Sequence, residues 1–189
     1  DIDRLIEDTK KLVLANKEFW GRLPYRRYIF MLHLSPTSGG GTEHINSTIM
    51  GTRPFGFSSP GGYRGFLGLL SHEYFHTWNV KQLRPAAITP YDFSKENYSR
   101  ELWVAEGTTS FYTGILMLRA GLGTADEYVG SLATEIKGER QRPGNRKQSV
   151  AEASFDAWIK YWKNTPQAYN EDGDGEQVRD LLHVRDLAG

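Results

Sequence analysis

The sequence predicts an α+β fold that is mainly helical and carries a small sheet near its N-terminus. Three observations support this prediction. Apolar residues recur at helical spacing in several long segments, two short segments near the front have the composition of β-strands, and no internal repeat or long linker divides the chain. A chain of 189 residues is also long enough to bury a substantial hydrophobic core.

The front of the chain predicts one helix followed by the small sheet. Residues 3–20 carry apolar side chains at an approximately helical spacing that ends at Gly21. Residues 26–34 are rich in Ile, Phe, Leu and Tyr and predict a largely buried strand. After a glycine-rich loop, residues 42–50 alternate so that Glu43 shares one face with the three alternate residues that follow it. We therefore expect a second short strand there.

The middle of the chain predicts two helices joined by a polar connection. The first should begin near Gly62 and continue to about Val80, with Pro85 beyond its end. A polar segment punctuated by prolines follows, which is typical of a surface connection. Residues 101–123 then have the apolar content and the terminal glycine of a core helix.

The remaining helices are predicted from their first residues. Thr124 is expected to cap one helix, because Glu127 stands three residues later and completes a capping box. A last helix is expected from about Ser149, although its apolar spacing is less regular.

The composition restricts the partners of the chain. Its 23 basic residues balance its 23 acidic ones, so no net charge attracts it to nucleic acid or to an anionic membrane. The absence of Cys excludes disulfides and thiolate metal sites. No apolar run approaches the roughly twenty residues that span a bilayer, and the acidic N-terminus is unlike a signal peptide. We expect a soluble domain with no nucleic-acid or membrane partner, and the compartment stays open.

Two of the five histidines, His72 and His76, stand four residues apart with Glu73 beside the first. On a helix this spacing separates them by about forty degrees around the axis and one turn along it, so both imidazoles can reach one cation. Glu73 points beside that cation, where a carboxylate can accept a proton from a metal-activated water molecule. The alternative is a core helix with two incidental histidines, but an unsatisfied buried polar cluster costs free energy. We therefore predict a Zn²⁺ site.

Zinc in a catalytic site needs a third protein ligand and an open fourth position. Most downstream carboxylates lie in polar segments, whereas Glu106 is embedded in an apolar helix. We predict that His72, His76 and Glu106 are the zinc ligands, with Ser110 one turn later as a hydrogen-bond partner. The alternative interpretation of Glu106 is an exposed carboxylate on a helix surface.

Three segments, in order, resemble the glycyl aminopeptidase family of gluzincin zinc peptidases. The histidine motif continues into Trp78-Asn79-Val80-Lys81, residues 103–107 match the family's Trp-x-x-Glu-Gly segment, and residues 39–48 match its Gly-Gly-x-Glu-His-x-Asn-Ser-Thr segment. The resemblance runs from residue 1 to about residue 169. It implies a thermolysin-like catalytic subdomain over residues 1–169. It also implies zinc as the cofactor, Glu106 of the Trp-x-x-Glu-Gly segment as the third ligand, and peptides as substrates.

The resemblance also implies a binding site for the substrate's N-terminus. Related aminopeptidases use a Glu on a glycine-containing edge strand to bind the free amine, and Glu43 matches that residue, with His44 next to it. Gly40 and Gly41 would let a ligand approach the backbone closely, and an edge strand can pair with an extended peptide. The alternative interpretation is a hairpin strand with incidental polar residues.

The family pattern ends near Tyr169, which is our candidate for the tyrosine that helps gluzincins bind the oxyanion. Residues 170–189 are predicted to be an acidic loop and a C-terminal tail. A calcium-loop pattern that starts at Asn170 fails at Leu181, where a bidentate Glu is required. The β-rich N-terminal domain and the PDZ domain of such enzymes are expected as neighbouring domains of a longer protein.

The leading functional hypothesis is a zinc aminopeptidase that removes an N-terminal residue, with glycine as the candidate residue. Two alternatives stay open. An endopeptidase would use the same metal site without an amine anchor, and a zinc-binding scaffold would hold the metal without turnover.

Overall fold

The structure is a computed structural model that describes residues 2–141 and 147–160. These residues form five α-helices and one three-stranded sheet, which confirms the predicted α+β class with its small N-terminal sheet. None of these helices is both long enough and apolar enough to cross a membrane. In chain order the elements are α1 Ile2–Trp20, β1 Ile29–Leu34, β2 Gly41–Glu43, β3 Ser47–Thr52, α2 Pro60–Phe75, α3 Leu102–Arg119, α4 Ala125–Gln141 and α5 Val150–Lys160, with a short 3-10 helix at Ala86–Ile88.

The described residues form two compact units. The first contains residues 2–83 and 112–128, and therefore holds α1, the sheet, α2 and the C-terminal half of α3. The second contains residues 84–111, 129–141 and 147–160, with the N-terminal half of α3, most of α4 and α5. Each unit is described by itself below.

The sheet of the first unit has the strand order β1-β3-β2. β3 is central, pairs in parallel with β1 and antiparallel with β2, and sets Glu43 opposite Thr48. The prediction of a single strand over residues 42–50 was wrong. The chain reverses after Glu43, where the His44 amide donates to the Ser47 carbonyl at 2.8 Å, so residues on either side of this turn belong to different strands.

β1 differs from its prediction in burial. Five of its six residues are exposed, including Ile29 at 42% and Leu34 at 58%. Phe30 is the exception and packs against the core. Apolar composition predicted the strand itself, but whether a strand is covered depends on its neighbours, and β1 is an edge strand of this sheet.

α2 begins at a well-capped position. The Ser59 side chain accepts a hydrogen bond from the Gly62 amide at 3.1 Å, and Pro60 occupies the first turn, where its missing N–H costs nothing. The helix begins two residues before the predicted start at Gly62.

α2 ends at Phe75, earlier than the predicted Val80, and His76 is its C-cap. The backbone tightens there, because the Thr77 amide donates to the Tyr74 carbonyl three residues back, at 3.1 Å. His76 therefore lies at the C-terminus of α2, and the chain leaves the helix immediately after it.

The core of the first unit surrounds α2. Tyr112 of α3 stacks on Phe75 with ring centroids 5.5 Å apart, and the Ser71 hydroxyl donates to the Thr113 carbonyl at 3.3 Å. These contacts fix the C-terminal half of α3 against α2. The buried apolar residues of the two core clusters are Leu12, Ala15, Met50, Tyr63, Phe66, Leu67, Leu70, Phe75, Leu116 and Met117.

The predicted capping box at the start of α4 is confirmed. The Thr124 amide donates to Glu127 Oε2 at 2.8 Å, and the Glu127 amide donates to Thr124 Oγ1 at 3.3 Å. Two amides that the helix leaves unpaired are satisfied in this way.

In the second unit, α5 caps the start of α3. The Ser154 hydroxyl oxygen accepts a hydrogen bond from the Trp103 amide at 3.0 Å. Next to it, Phe155 stacks on Tyr98 with centroids 4.9 Å apart and meets the Arg100 guanidinium 5.0 Å from its ring centre.

Two leucines on α1 test the assignment of the core. Leu12 is 0% exposed and Leu14 is 62% exposed. We expect Leu12→Ala to lower the free energy of unfolding by about 2–5 kcal/mol, because a buried leucine leaves a cavity. Leu14→Ala, with the same chemistry and a similar helix propensity change, should stay within about 0.5 kcal/mol. Urea unfolding followed by circular dichroism measures both, and equal losses would contradict the assigned core.

Candidate functional site

The two histidines of the motif face each other at the end of α2. The Nε2 atoms of His72 and His76 are 3.1 Å apart, and the rings are nearly perpendicular, at 83°. His76 is buried, with 2% exposure, and His72 is half-buried. The helical spacing therefore brings together two imidazole nitrogens in a partly buried position.

The tautomer of His76 follows from its second nitrogen. His76 Nδ1 lies 3.1 Å from the Asn79 carbonyl oxygen. Because a carbonyl oxygen only accepts, Nδ1 carries the hydrogen and donates it. In the neutral ring Nε2 is then the acceptor nitrogen, and it faces His72 Nε2 at 3.1 Å. Metal-binding histidines are held in the same way by a carbonyl or carboxylate on the other nitrogen.

These residues fit a zinc ion. Two nitrogens bound tetrahedrally at about 2.0–2.1 Å from zinc are separated by about 3.3 Å, close to the 3.1 Å between the histidine nitrogens. Imidazole suits zinc and its transition-metal neighbours better than magnesium or calcium. The donor set is therefore compatible with zinc after a shift of a few tenths of an ångström.

Glu73 is buried at 3% exposure, and the carboxylate of Glu43 lies near it. Ligand atoms of Glu43, Glu73 and His76 all lie within 4.8 Å of one another, inside the first unit. The structure therefore brings the predicted proton acceptor and the predicted amine anchor together at one of the two histidines.

Gly41 lets strand β2 approach Glu73. A Cβ atom at Gly41 would lie 2.5–2.6 Å from the Cγ, Cδ and Oε1 atoms of Glu73, which is closer than real Cβ contacts. Alternate residues of a strand point to the same side, so Glu43 faces the direction that the absent Gly41 side chain would take. Strand β2 thus leaves room for the Glu73 carboxylate at Gly41 and supplies the Glu43 carboxylate two residues later.

β2 also forms one edge of the described sheet, since it pairs with β3 alone among the named strands. An edge strand of this kind can accept an extended peptide as a further strand. Gly40, just before it, has a φ of 68°, a conformation that favours glycine, and its carbonyl accepts from the Gly51 amide at 2.8 Å. His44 is exposed in the turn after the strand.

Two residues at this site had no predicted role. Lys81 Nζ lies 2.8 Å from Glu43 Oε1. Tyr28 receives a hydrogen bond from the Thr77 hydroxyl at 3.3 Å, and its burial, with a smaller effect of the Glu43 and Glu73 charges, raises its pKa to about 12. The phenol therefore stays protonated at neutral pH. Lys81 stands in a segment that carried the family resemblance, whereas no pattern in the sequence distinguishes Tyr28.

Two of the remaining predicted residues belong to the second unit. Glu106 and Ser110 are half-buried on α3, in the part of that helix that belongs to the second unit. Tyr169, the acidic segment that begins at Asn170 and the predicted domain boundary between them lie outside the described residues.

The sequence and the fold both match known peptidases. Residues 65–174, more than half of the chain, match the M61 glycyl aminopeptidase family. The chain belongs to this family. The crystal structure of an aminopeptidase N family protein from Idiomarina loihiensis superposes with a TM-score of 0.85 at 31% identity over 96% of this chain. No curated protein matches the sequence.

The chain is therefore a member of a peptidase family, and one of its structural relatives is an aminopeptidase N family protein. The chain spans 32% of the Idiomarina protein, about a third of its length. This chain therefore corresponds to one part of that relative, and the superposition covers nearly all of this chain.

Gly41 gives a test of the carboxylate arrangement in this M61 chain. We expect Gly41→Ala to lower the free energy of unfolding by about 1–3 kcal/mol, because the new methyl group overpacks against Glu73. In a Glu73→Ala background this loss should largely disappear, since the atoms that would clash are gone. Gly39→Ala is the matched control, because a Cβ there meets nothing within 4 Å. Urea unfolding of the double-mutant cycle measures the coupling, and additive losses would contradict the contact.

Proposed function

We propose that the protein is a zinc-dependent aminopeptidase that hydrolyses the N-terminal residue from peptides. The observation that carries this proposal is the histidine pair at the end of α2. Its facing Nε2 atoms, 3.1 Å apart, and the carbonyl partner of His76 Nδ1 support zinc binding in a chain of a peptidase family.

Glu106 is the proposed third ligand. It stands in the second turn of α3 and is half-buried among apolar neighbours in sequence. It completes, with His72 and His76, the set of three ligands that the sequence predicts. Two imidazoles and a carboxylate are a ligand set that leaves the fourth position of a catalytic zinc open for water.

The chemistry divides between the cofactor and the protein. Bound zinc would supply Lewis acidity, both for the scissile carbonyl and for the attacking water. Glu73 would accept the proton of that water and later donate it to the leaving amine, as a general base and then a general acid. Its burial at 3% exposure, beside Gly41, restricts the carboxylate to one region next to His76.

Glu43 is the proposed anchor for the substrate's α-ammonium. Its side chain is 23% exposed, so the carboxylate is reachable from solvent and still partly desolvated. It extends from the edge strand β2, along which an extended peptide can pair, toward Glu73 and His76. An amine bound there would put the first peptide bond of the substrate near the reacting groups, which favours cleavage after one residue.

The first prediction for this mechanism separates metal binding from chemistry. We expect about one Zn²⁺ per chain in protein purified without chelator. His76→Ala should lose most of this metal, because it removes a ligand. Glu73→Gln should keep the metal, since Glu73 is not a ligand in this scheme, and should lower peptide hydrolysis by about a hundredfold or more. Elemental analysis and a peptidase assay on the three proteins measure these outcomes.

The same set of proteins contains its own control. His44→Ala changes an exposed histidine in the turn beside β2, and its zinc content should equal that of the parent protein. A parent protein without zinc that takes up none on titration would exclude the proposed site. Loss of zinc in Glu73→Gln would instead make Glu73 a ligand and remove it from the role of proton acceptor.

The second prediction concerns the free amine. Glu43→Ala should weaken turnover of peptides with a free N-terminus by about 2–4 kcal/mol in kcat/KM, the scale for removing one partner of a desolvated charge pair. N-acetylated peptides should be poor substrates for the parent protein and should lose little more in the variant. Zinc content should stay the same.

Glu7→Ala is the matched control for this comparison. Glu7 also forms an ion pair with a lysine, at 2.7 Å, but both side chains are 63% exposed on α1. Its removal should leave both kinds of peptide unaffected. Equal losses for free and acetylated peptides in Glu43→Ala would favour an endopeptidase, in which Glu43 supports the strand and not the substrate.

A further inference from the structure

The proposed amine anchor already has a cationic partner within the chain. Lys81 Nζ lies 2.8 Å from Glu43 Oε1, and the two side chains are only 21% and 23% exposed. This pair differs from the surface pair of Glu7 and Lys10, whose side chains are both 63% exposed. A partly desolvated pair at this distance is worth more than a solvated one, since water screens it less.

The backbone holds Lys81 in this position. The Lys81 amide donates to the His76 carbonyl at 3.1 Å, and the Val80 amide donates to the Leu83 carbonyl at 3.0 Å. Val80 itself adopts a φ of 102°. This backbone conformation is unfavourable for a β-branched residue and persists only where the surrounding structure imposes it. The turn therefore directs the lysine back toward the site instead of into solvent.

The charges around Glu43 explain what the lysine does when no ligand is bound. Glu43 and Glu73 have carboxylate oxygens within 4.8 Å of each other, and like charges this close repel. The Lys81 ammonium lies on the Glu43 side of this pair and offsets the repulsion. The Glu43 carboxylate is thus oriented by a group with the same chemistry as the α-ammonium of a peptide.

We propose that Lys81 is a specificity-determining residue that competes with the substrate's α-ammonium for the Glu43 carboxylate. The inference rests on the proposed function, in which Glu43 binds that ammonium. A free amine that reaches Glu43 meets a carboxylate whose Oε1 is occupied, and it has to displace Lys81 or accept a like charge beside it. A ligand without a charged amine is indifferent to this competition. Lys81 therefore lowers the affinity for free-amine peptides and for small cations that would otherwise occupy the anchor.

The test measures binding without turnover, in zinc-loaded protein that carries Glu73→Gln. The probes are triglycine amide and its N-acetylated form, and isothermal titration calorimetry gives their dissociation constants. Lys81→Met should lower the Kd of the free-amine probe by at least about fivefold, the effect of removing one like charge about 4 Å away in water, because this pair is screened less than a solvated one. The Kd of the acetylated probe should not change. Lys81→Gln, a second neutral replacement, should give the same selective shift.

Two control variants accompany the neutral replacements. Lys81→Arg keeps the positive charge, so it should not lower the Kd of the free-amine probe. Lys10→Met removes a lysine from the exposed pair on α1 and should match the parent for both probes. An unchanged or raised Kd for the free-amine probe in Lys81→Met, or an equal shift for both probes, would overturn the proposal and make Lys81 a support for Glu43.

Glu43→Gln in the same background separates this proposal from the proposed function. If it weakens only the free-amine probe while Lys81→Met tightens neither, the amine anchor stands and the competition by Lys81 is rejected. If Glu43→Gln leaves the two probes unchanged, Glu43 is not the amine anchor, and the aminopeptidase assignment and the role of Lys81 both fail.

Discussion

The hydrogen bond from His76 Nδ1 to the Asn79 carbonyl is the interaction on which the rest of the site depends. It exists because α2 stops at Phe75, since a longer helix would direct the Asn79 carbonyl along the helix axis. Stopping there has a backbone cost, visible in the φ of 102° at Val80. The same turn then returns Lys81 to Glu43. One change of chain direction thus orients His76 Nδ1 and also places Lys81 beside the Glu43 carboxylate.

The sheet contributes a different kind of constraint, which acts through a missing side chain. β2 can lie close to α2 only because Gly41 has no Cβ, and that proximity brings Glu43 near Glu73. The order β1-β3-β2 leaves β2 at an edge, so the strand that carries Glu43 also keeps backbone groups available for a peptide. The three consecutive residues Gly41–Glu43 therefore provide the close approach to α2, the edge strand and the Glu43 carboxylate.

The sequence predicted those parts of the molecule that depend on local spacing. The five helices, the capping box at Thr124 and the proximity of His72 to His76 follow from residues within one or two helical turns. The sequence did not predict the features that depend on contacts between residues distant along the chain. The turn that divides β2 from β3 and the exposure of β1 depend on strand neighbours, and Tyr28 is near the carboxylates only after folding. Glu106 was singled out by its apolar surroundings in sequence, and its role as a ligand is part of the proposal.

Glu73 is the residue on which both constraints converge, and this has a consequence for how the site tolerates change. A general base loses efficiency when it moves by about an ångström, because proton transfer requires a narrow range of geometry. Backbone hydrogen bonds fix the helix end on one side of Glu73, and the Gly41 backbone limits its carboxylate on the other. The Gly41 constraint acts through the absence of a side chain and not through a metal donor. A substitution at Gly41 should therefore change the position of the Glu73 carboxylate, while the two histidine nitrogens keep their separation of 3.1 Å.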